Sequence, residues 1–100
     1  MNEIAFHNWA AFQGMNRKVV SDSISRLKKL ENEFDIDIDL EYKKDQCNYM
    51  LSLFNHTGKN DEMKKYKTNL PIGQYRLSTY KYALNLYIRY LASIEKNNYK

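Results

Sequence analysis

Between Gln74 and Glu95 the apolar side chains return every three or four residues: Leu77, Tyr80, Leu84, Tyr87, Ile88, Leu91 and Ile94. That is the spacing at which side chains line up on one side of an α-helix. A second row, Tyr82, Leu86 and Tyr90, runs beside it. A helix that is apolar over most of its girth is buried on two sides or meets a partner. The rest of the chain must therefore supply the surfaces that cover it. Sheets of this size need many turns, and turns consume glycine and proline. This sequence has three glycines and one proline, so the covering elements are expected to be helices. The pattern predicts an all-α fold, a four- to five-helix bundle forming a single helical domain over 1–100, with 74–95 as its central or closing helix.

The other helices follow from the same reasoning. Residues 3–13 carry Ile4, Phe6, Trp9, Ala10 and Phe12, and Gly14 supplies a stop. Residues 16–33 place Val20, Ile24, Leu27 and Leu30 on one stripe, with Asn16 as N-cap. The alternation Asp35-Ile36-Asp37-Ile38-Asp39 looks strand-like but has no second strand to pair with. It is expected to be a loop whose isoleucines tuck into the core and whose Asp39 caps the next helix. That helix is expected over 41–55, with Cys47, Met50, Leu51 and Phe54 on one face. Residues 55–73 read as irregular, a polar basic loop with room for one helical turn over 61–66, ending in a hinge at Leu70-Pro71-Ile72-Gly73. A frayed tail is expected from Lys96 to Lys100.

Most site chemistry is missing from the sequence. Two histidines, His7 and His56, and one cysteine cannot assemble a zinc site within the chain. Three separated glycines cannot form a phosphate-cradling loop. The alternating aspartates resemble the opening of a calcium loop, but Leu40 stands where glycine is required and Gln46 where the closing glutamate belongs. No nucleophile has an evident base. The expectation is no catalytic residue, no metal, no cofactor, no small-molecule substrate and no enzyme activity. A single cysteine, Cys47, argues against a disulfide-stapled secreted domain and is expected to be a buried, reduced core residue. No stretch is apolar enough to span a bilayer, and the first residues lack a basic leader segment. A cytoplasmic location, away from membranes, is expected.

Charge is clustered rather than merely positive. Residues 14–30 hold five basic side chains against Asp22 alone, residues 31–47 hold seven acids against two lysines, and residues 48–81 hold six basic side chains against two acids. Two helix starts carry the basic residues beside hydroxyls: Arg17-Lys18, with Arg26 further along, and Gln74-Tyr75-Arg76-Leu77-Ser78-Thr79-Tyr80-Lys81. A helix start offers free N–H groups and the positive end of the dipole, which suits phosphate. Ser78 and Thr79 equally suit capping. Candidate DNA contacts are Arg17, Lys18, Arg26, Arg76, Ser78 and Lys81. The nine tyrosines support an alternative, a protein-interaction module or small phage-type inhibitor that binds a partner through Tyr82, Leu86 and Tyr90.

Arg17-Lys18-Val19-Val20-Ser21-Asp22-Ser23-Ile24-Ser25-Arg26-Leu27-Lys28-Lys29-Leu30 resembles the first long helix of the core-binding, SAM-like domain that precedes the catalytic domain of tyrosine recombinases. Tyr80-Lys81-Tyr82-Ala83-Leu84-Asn85-Leu86-Tyr87-Ile88-Arg89-Tyr90-Leu91 is similar to its last helix. Similar helical modules stand before the nuclease domains of restriction-type enzymes. The resemblance covers about half the chain, and the acidic stretch 31–47 departs from it. It implies an all-helical fold that grips duplex DNA through the phosphate backbone. It does not imply strand cleavage, because the recombinase nucleophile and arginines belong to a separate catalytic domain.

Overall fold

A computed structural model describes residues 1–97, and it is all-α, with six helices and no strand among the described residues. Two long helices dominate: α2 (Arg17–Phe34) and α6 (Leu77–Asn97). Around them lie α1 (Glu3–Phe12), α3 (Ile38–Asp45), α4 (Asn48–Ser52) and α5 (Asp61–Lys64), with a 3-10 turn at Asn55–Gly58. Leu27, Leu30, Leu84, Tyr87 and Phe6 are fully buried, which puts the core where α1 and α2 meet α6.

The end contacts fix the directions of the helices. Lys28 of α2 meets Glu3 of α1 at 2.9 Å, and the Met1 ammonium meets Glu31 at 3.0 Å, so α1 and α2 run antiparallel. Phe6 packs on Tyr87 and on Tyr90, and Trp9 packs on Tyr90. At the C-terminal end of α2, Phe34 meets Tyr66 and the Glu33 carboxylate accepts the Asn69 N–H at 2.6 Å, beside the segment that leads into α6. Helices α2 and α6 are therefore antiparallel as well. The start of α2 lies toward the end of α6, and the start of α6 toward the end of α2.

Capping explains most of the boundaries. The Asn16 side chain accepts the N–H groups of Lys18 and Val19 and starts α2 as expected. Asp35 adopts a left-handed conformation (φ 51°) and ends it, while the Ile36 N–H reaches back to the Glu31 carbonyl. The aspartate–isoleucine alternation is thus a helix end and a helix start back to back. Ile38 is fully buried as expected, but the cap of α3 is Asp37, whose carboxylate accepts the Asp39 N–H at 2.9 Å. Asp39 does not cap α3.

Three further expectations are corrected. The single helix expected over 41–55 is broken at Gln46 and Cys47, both left-handed (φ 59° and 64°), with the Gln46 N–H bonded to the Tyr42 carbonyl. Asp45 then accepts the Tyr49 N–H in the first turn of α4. With this break and the expected turn α5, capped by Asn60, the bundle has six helices among the described residues and is all-α as expected. The segment read as a hinge is pinned: Leu70 is buried and the Gly73 N–H donates to the Thr57 carbonyl at 2.7 Å. Helix α6 begins at Leu77, later than expected, and continues through Lys96, the first residue of the expected tail; residues 98–100 lie outside the described residues.

Candidate nucleic-acid interface

On α2 the core stripe of Val20, Ile24, Leu27, Leu30 and Phe34 takes one side. The opposite side is left to solvent, and the helical period decides what appears there. Lys18, Ser21, Ser25, Lys28, Lys29 and Asn32 recur at steps of three and four, and all are exposed. The row runs from Lys18 to Asn32, about 21 Å at 1.5 Å per step. Two serines lie between Lys18 and the Lys28-Lys29 pair, and Asn32 closes the row. The acids of this helix, Asp22, Glu31 and Glu33, are half-buried and sit off the row. Lys28 pairs with Glu3, while Arg17, Lys18 and Lys29 form no ion pair among the described residues. Glu3 and His7 of α1 join Arg17, Lys18, Ser21, Ile24, Ser25 and Lys28 in lining an open groove beside this face.

Arg17 and Lys18 stand exposed at the head of this row. Arg26 is half-buried on the flank of α2 that carries Asp22 four residues before it. Arg76, Ser78 and Lys81 are exposed, but they lie at the far end of the molecule, at the foot of α6. Because α2 and α6 are antiparallel, the two basic helix starts are separated by roughly the length of α2, ~20 Å or more. They do not form one patch.

Neither start offers the free amides that a phosphate would want. At α2 the Asn16 side chain takes two of them. At α6 the N–H groups of Leu77, Ser78 and Thr79 bond to the carbonyls of Gln74, Tyr75 and Arg76. The Ser78 and Thr79 hydroxyls are not N-caps; they donate to the Tyr75 and Arg76 carbonyls at 2.9 and 2.7 Å. What these starts present is side-chain charge.

The tyrosine row expected to meet a partner is divided. Leu86 and Tyr90 are 2% and 4% exposed and belong to the chain's own core, leaving Tyr82 alone at the surface. The second apolar row of α6 is used by α1, through the Phe6, Trp9 and Tyr90 rings. The most exposed aliphatic and phenyl side chains on a helix are instead Ile4 and Phe12 of α1, ahead of Leu40 of α3 and Val19 of α2.

Ser21, Ser25, Lys28, Lys29 and Asn32 were not among the residues singled out from the sequence. The signal was available: they are the positions opposite the apolar stripe of α2, and only the helix's partners reveal that this side stays uncovered. Cys47 is fully buried as expected; burial pushes its thiol up to about 12, with Asp45, Glu41 and Asp39 adding to the effect. Among the described residues no group of histidine, cysteine and carboxylate side chains could hold a metal ion, and no helix is long and apolar enough to cross a membrane. No family model matches the chain, and no curated protein or solved structure matches it.

Proposed function

We propose that this chain is a DNA-binding helical module that holds duplex DNA by its phosphate backbone through the outer face of α2. The observation that carries the reading is the row Lys18, Ser21, Ser25, Lys28, Lys29 and Asn32, exposed along about 21 Å, in which Lys28 alone is paired, with Glu3. Phosphate contacts use lysine, arginine, serine and asparagine side chains, and they position a protein without reading sequence. Few arginines lie on this face, so bidentate base reading is a minor part of the binding. The likeness of residues 17–30 and 80–91 to the recombinase core-binding domain supports the same mode of contact. The module acts by binding and carries out no catalysis of its own. A cytoplasmic setting suits its single buried, reduced thiol.

The test is a salt titration with random-sequence duplex. Log affinity should fall with log salt at a slope of about −3 to −4, if Arg17, Lys18, Lys28 and Lys29 each displace counterion at about −0.9 per contact. Replacing Lys18 and Lys29 together with alanine should flatten the slope by roughly 2 units and weaken all sequences alike. Absence of binding at low salt would sink the reading. A second reading, a protein-partner module, is favoured by α1, where Ile4 and Phe12 are 76% and 90% exposed.

A further inference from the structure

A cleft of about 240 Å³ opens at the foot of α6, remote from the start of the α2 row. Its floor is apolar, formed by Phe54 and Leu77, which are 5% and 2% exposed. Thr57, Gln74 and Ser78 place polar groups on its wall, and Lys81 and Tyr75 stand at its rim. No acid lines it. The Ser78 proton is committed to the Tyr75 carbonyl, so toward the cleft that oxygen is an acceptor. Gln74 can both donate and accept. The Tyr75 ring is 90% exposed, has no packing partner among the aromatic contacts of the described residues, and is flanked by the exposed cation Arg76.

The back of the cleft is held firmly. His56 and Thr57 both adopt left-handed backbone conformations (φ 55° and 56°), and the Gly73 N–H bonds to the Thr57 carbonyl at 2.7 Å. Gly58 sits so close to Leu77 and Ile72 that a Cβ there would come within 2.9 Å of Leu77. The turn and the foot of α6 are therefore locked together by backbone contact.

A narrow apolar floor, an exposed ring, a mixed donor and acceptor wall and cations without acids suit a planar ligand that carries negative charge outside the ring. We infer that this cleft takes an unstacked nucleobase from a single-stranded end of the DNA, with Tyr75 stacking on the base and Lys81 and Arg76 meeting its phosphates. The inference rests on the DNA-binding reading and adds a second contact to it, one that an intact duplex cannot satisfy because its bases are paired and stacked. Stacking of a base on an aromatic side chain tolerates any sequence.

The experiment compares a blunt duplex with the same duplex extended by a short single-stranded overhang carrying 2-aminopurine. The overhang should raise affinity about fivefold or more, the low end of what one stacked base contributes, and 2-aminopurine fluorescence should be quenched on binding. Tyr75→Ala should abolish both the preference and the quenching while leaving blunt-duplex affinity and its salt slope unchanged; Tyr75→Phe should keep them. With its side chain in solvent, Tyr75 can be replaced without loss of the fold. Equal affinity for both duplexes, or a preference that survives in Tyr75→Ala, would overturn the cleft assignment and leave the α2 reading intact. Failure to bind either duplex would overturn both.

Discussion

Two charged regions of this molecule face opposite fates. The acidic run 31–45 is drawn into structure. Glu31 accepts both the Met1 ammonium and the Ile38 N–H at 3.0 Å, Glu33 accepts the Asn69 N–H, and Asp45 accepts the Tyr49 N–H. Asp37 and Asp39 also face the ammonium, at 3.5 and 3.3 Å, and Asp39 accepts the hydroxyl of the fully buried Tyr87 at 2.8 Å. The basic run along α2 is used by almost nothing: its row points to water, and its one ion pair is the exposed Lys28–Glu3 contact. Exposed pairs contribute little. A run of charge in a sequence thus has no fixed meaning. Where backbone amides and an ammonium need partners, carboxylates are fold; where a helix face lacks neighbours, cations remain free to act on something else.

Removing a carboxylate from the acidic knot should break that contrast most visibly. Glu31→Ala strands the Ile38 N–H and leaves the Met1 ammonium only its longer contacts to Asp37 and Asp39, and it should cost about 2–3 kcal/mol in urea unfolding. A loss below about 0.5 kcal/mol would mean that the knot is ordinary surface. Tyr87→Phe is milder. It keeps the ring against Phe6 and Tyr90 but deletes the hydroxyl that donates to Asp39 and accepts the Asn2 N–H at 2.8 Å. A cost of about 1–1.5 kcal/mol is expected, with the fold retained.

Much of this fold was legible because helical period and capping act locally. The stripes of α2 and α6, the Asn16 cap and the burial of Ile38 and Cys47 all follow from residues a few positions apart. The break at Gln46-Cys47 was hidden because neither residue is glycine; their N–H groups bond back to the Tyr42 and Glu41 carbonyls, and the apolar spacing of Cys47, Met50 and Phe54 fits an intact helix equally well. The role of Asp39 was hidden for a related reason, since its partner Tyr87 lies 48 residues away. For the site, the sequence could single out Arg17 and Lys18 as basic. It could not reveal that Leu86 is buried and that α1 covers Tyr90, or that antiparallel packing sends Arg76 and Lys81 to the far end.

The same comparison can be sharpened with pH. Burial disfavours the charged Met1 amino group, but the hydrogen bond to Glu31 and the negative charges of Glu31, Asp39 and Asp37 outweigh it and raise the group above its ordinary 8.0. The folded state therefore holds this proton more tightly than the unfolded state does. The stabilisation is complete below pH 8.0 and is lost as pH rises through the higher folded value. Cys47 and Tyr87 are raised too, from 9.0 and 10.0, so they add to the loss only at still higher pH. Urea midpoints should be level on the acid side of pH 8 and begin to fall just above it. In Glu31→Gln that first part of the fall should shrink. A wild-type midpoint that stays level into the alkaline range would show that the ammonium is no better held folded than unfolded.

The smallest effect on stability should come from the region with the most charge to spare. Lys18 and Lys29 form no ion pair among the described residues, and both side chains are exposed. Replacing both with alanine removes no packing and slightly favours the helix, since alanine is the best helix former. Stability should therefore stay within about 0.5 kcal/mol of the parent, or rise. That neutrality is what gives the variant its value. A loss of DNA affinity in a protein of unchanged urea midpoint is a loss of contact, not of fold, whereas Glu31→Ala should lower the midpoint with no specific change in salt slope for the fraction that remains folded. If Lys18→Ala/Lys29→Ala instead unfolds at markedly lower urea, the row is structural after all, and the division between an acidic run that builds and a basic run that binds is wrong.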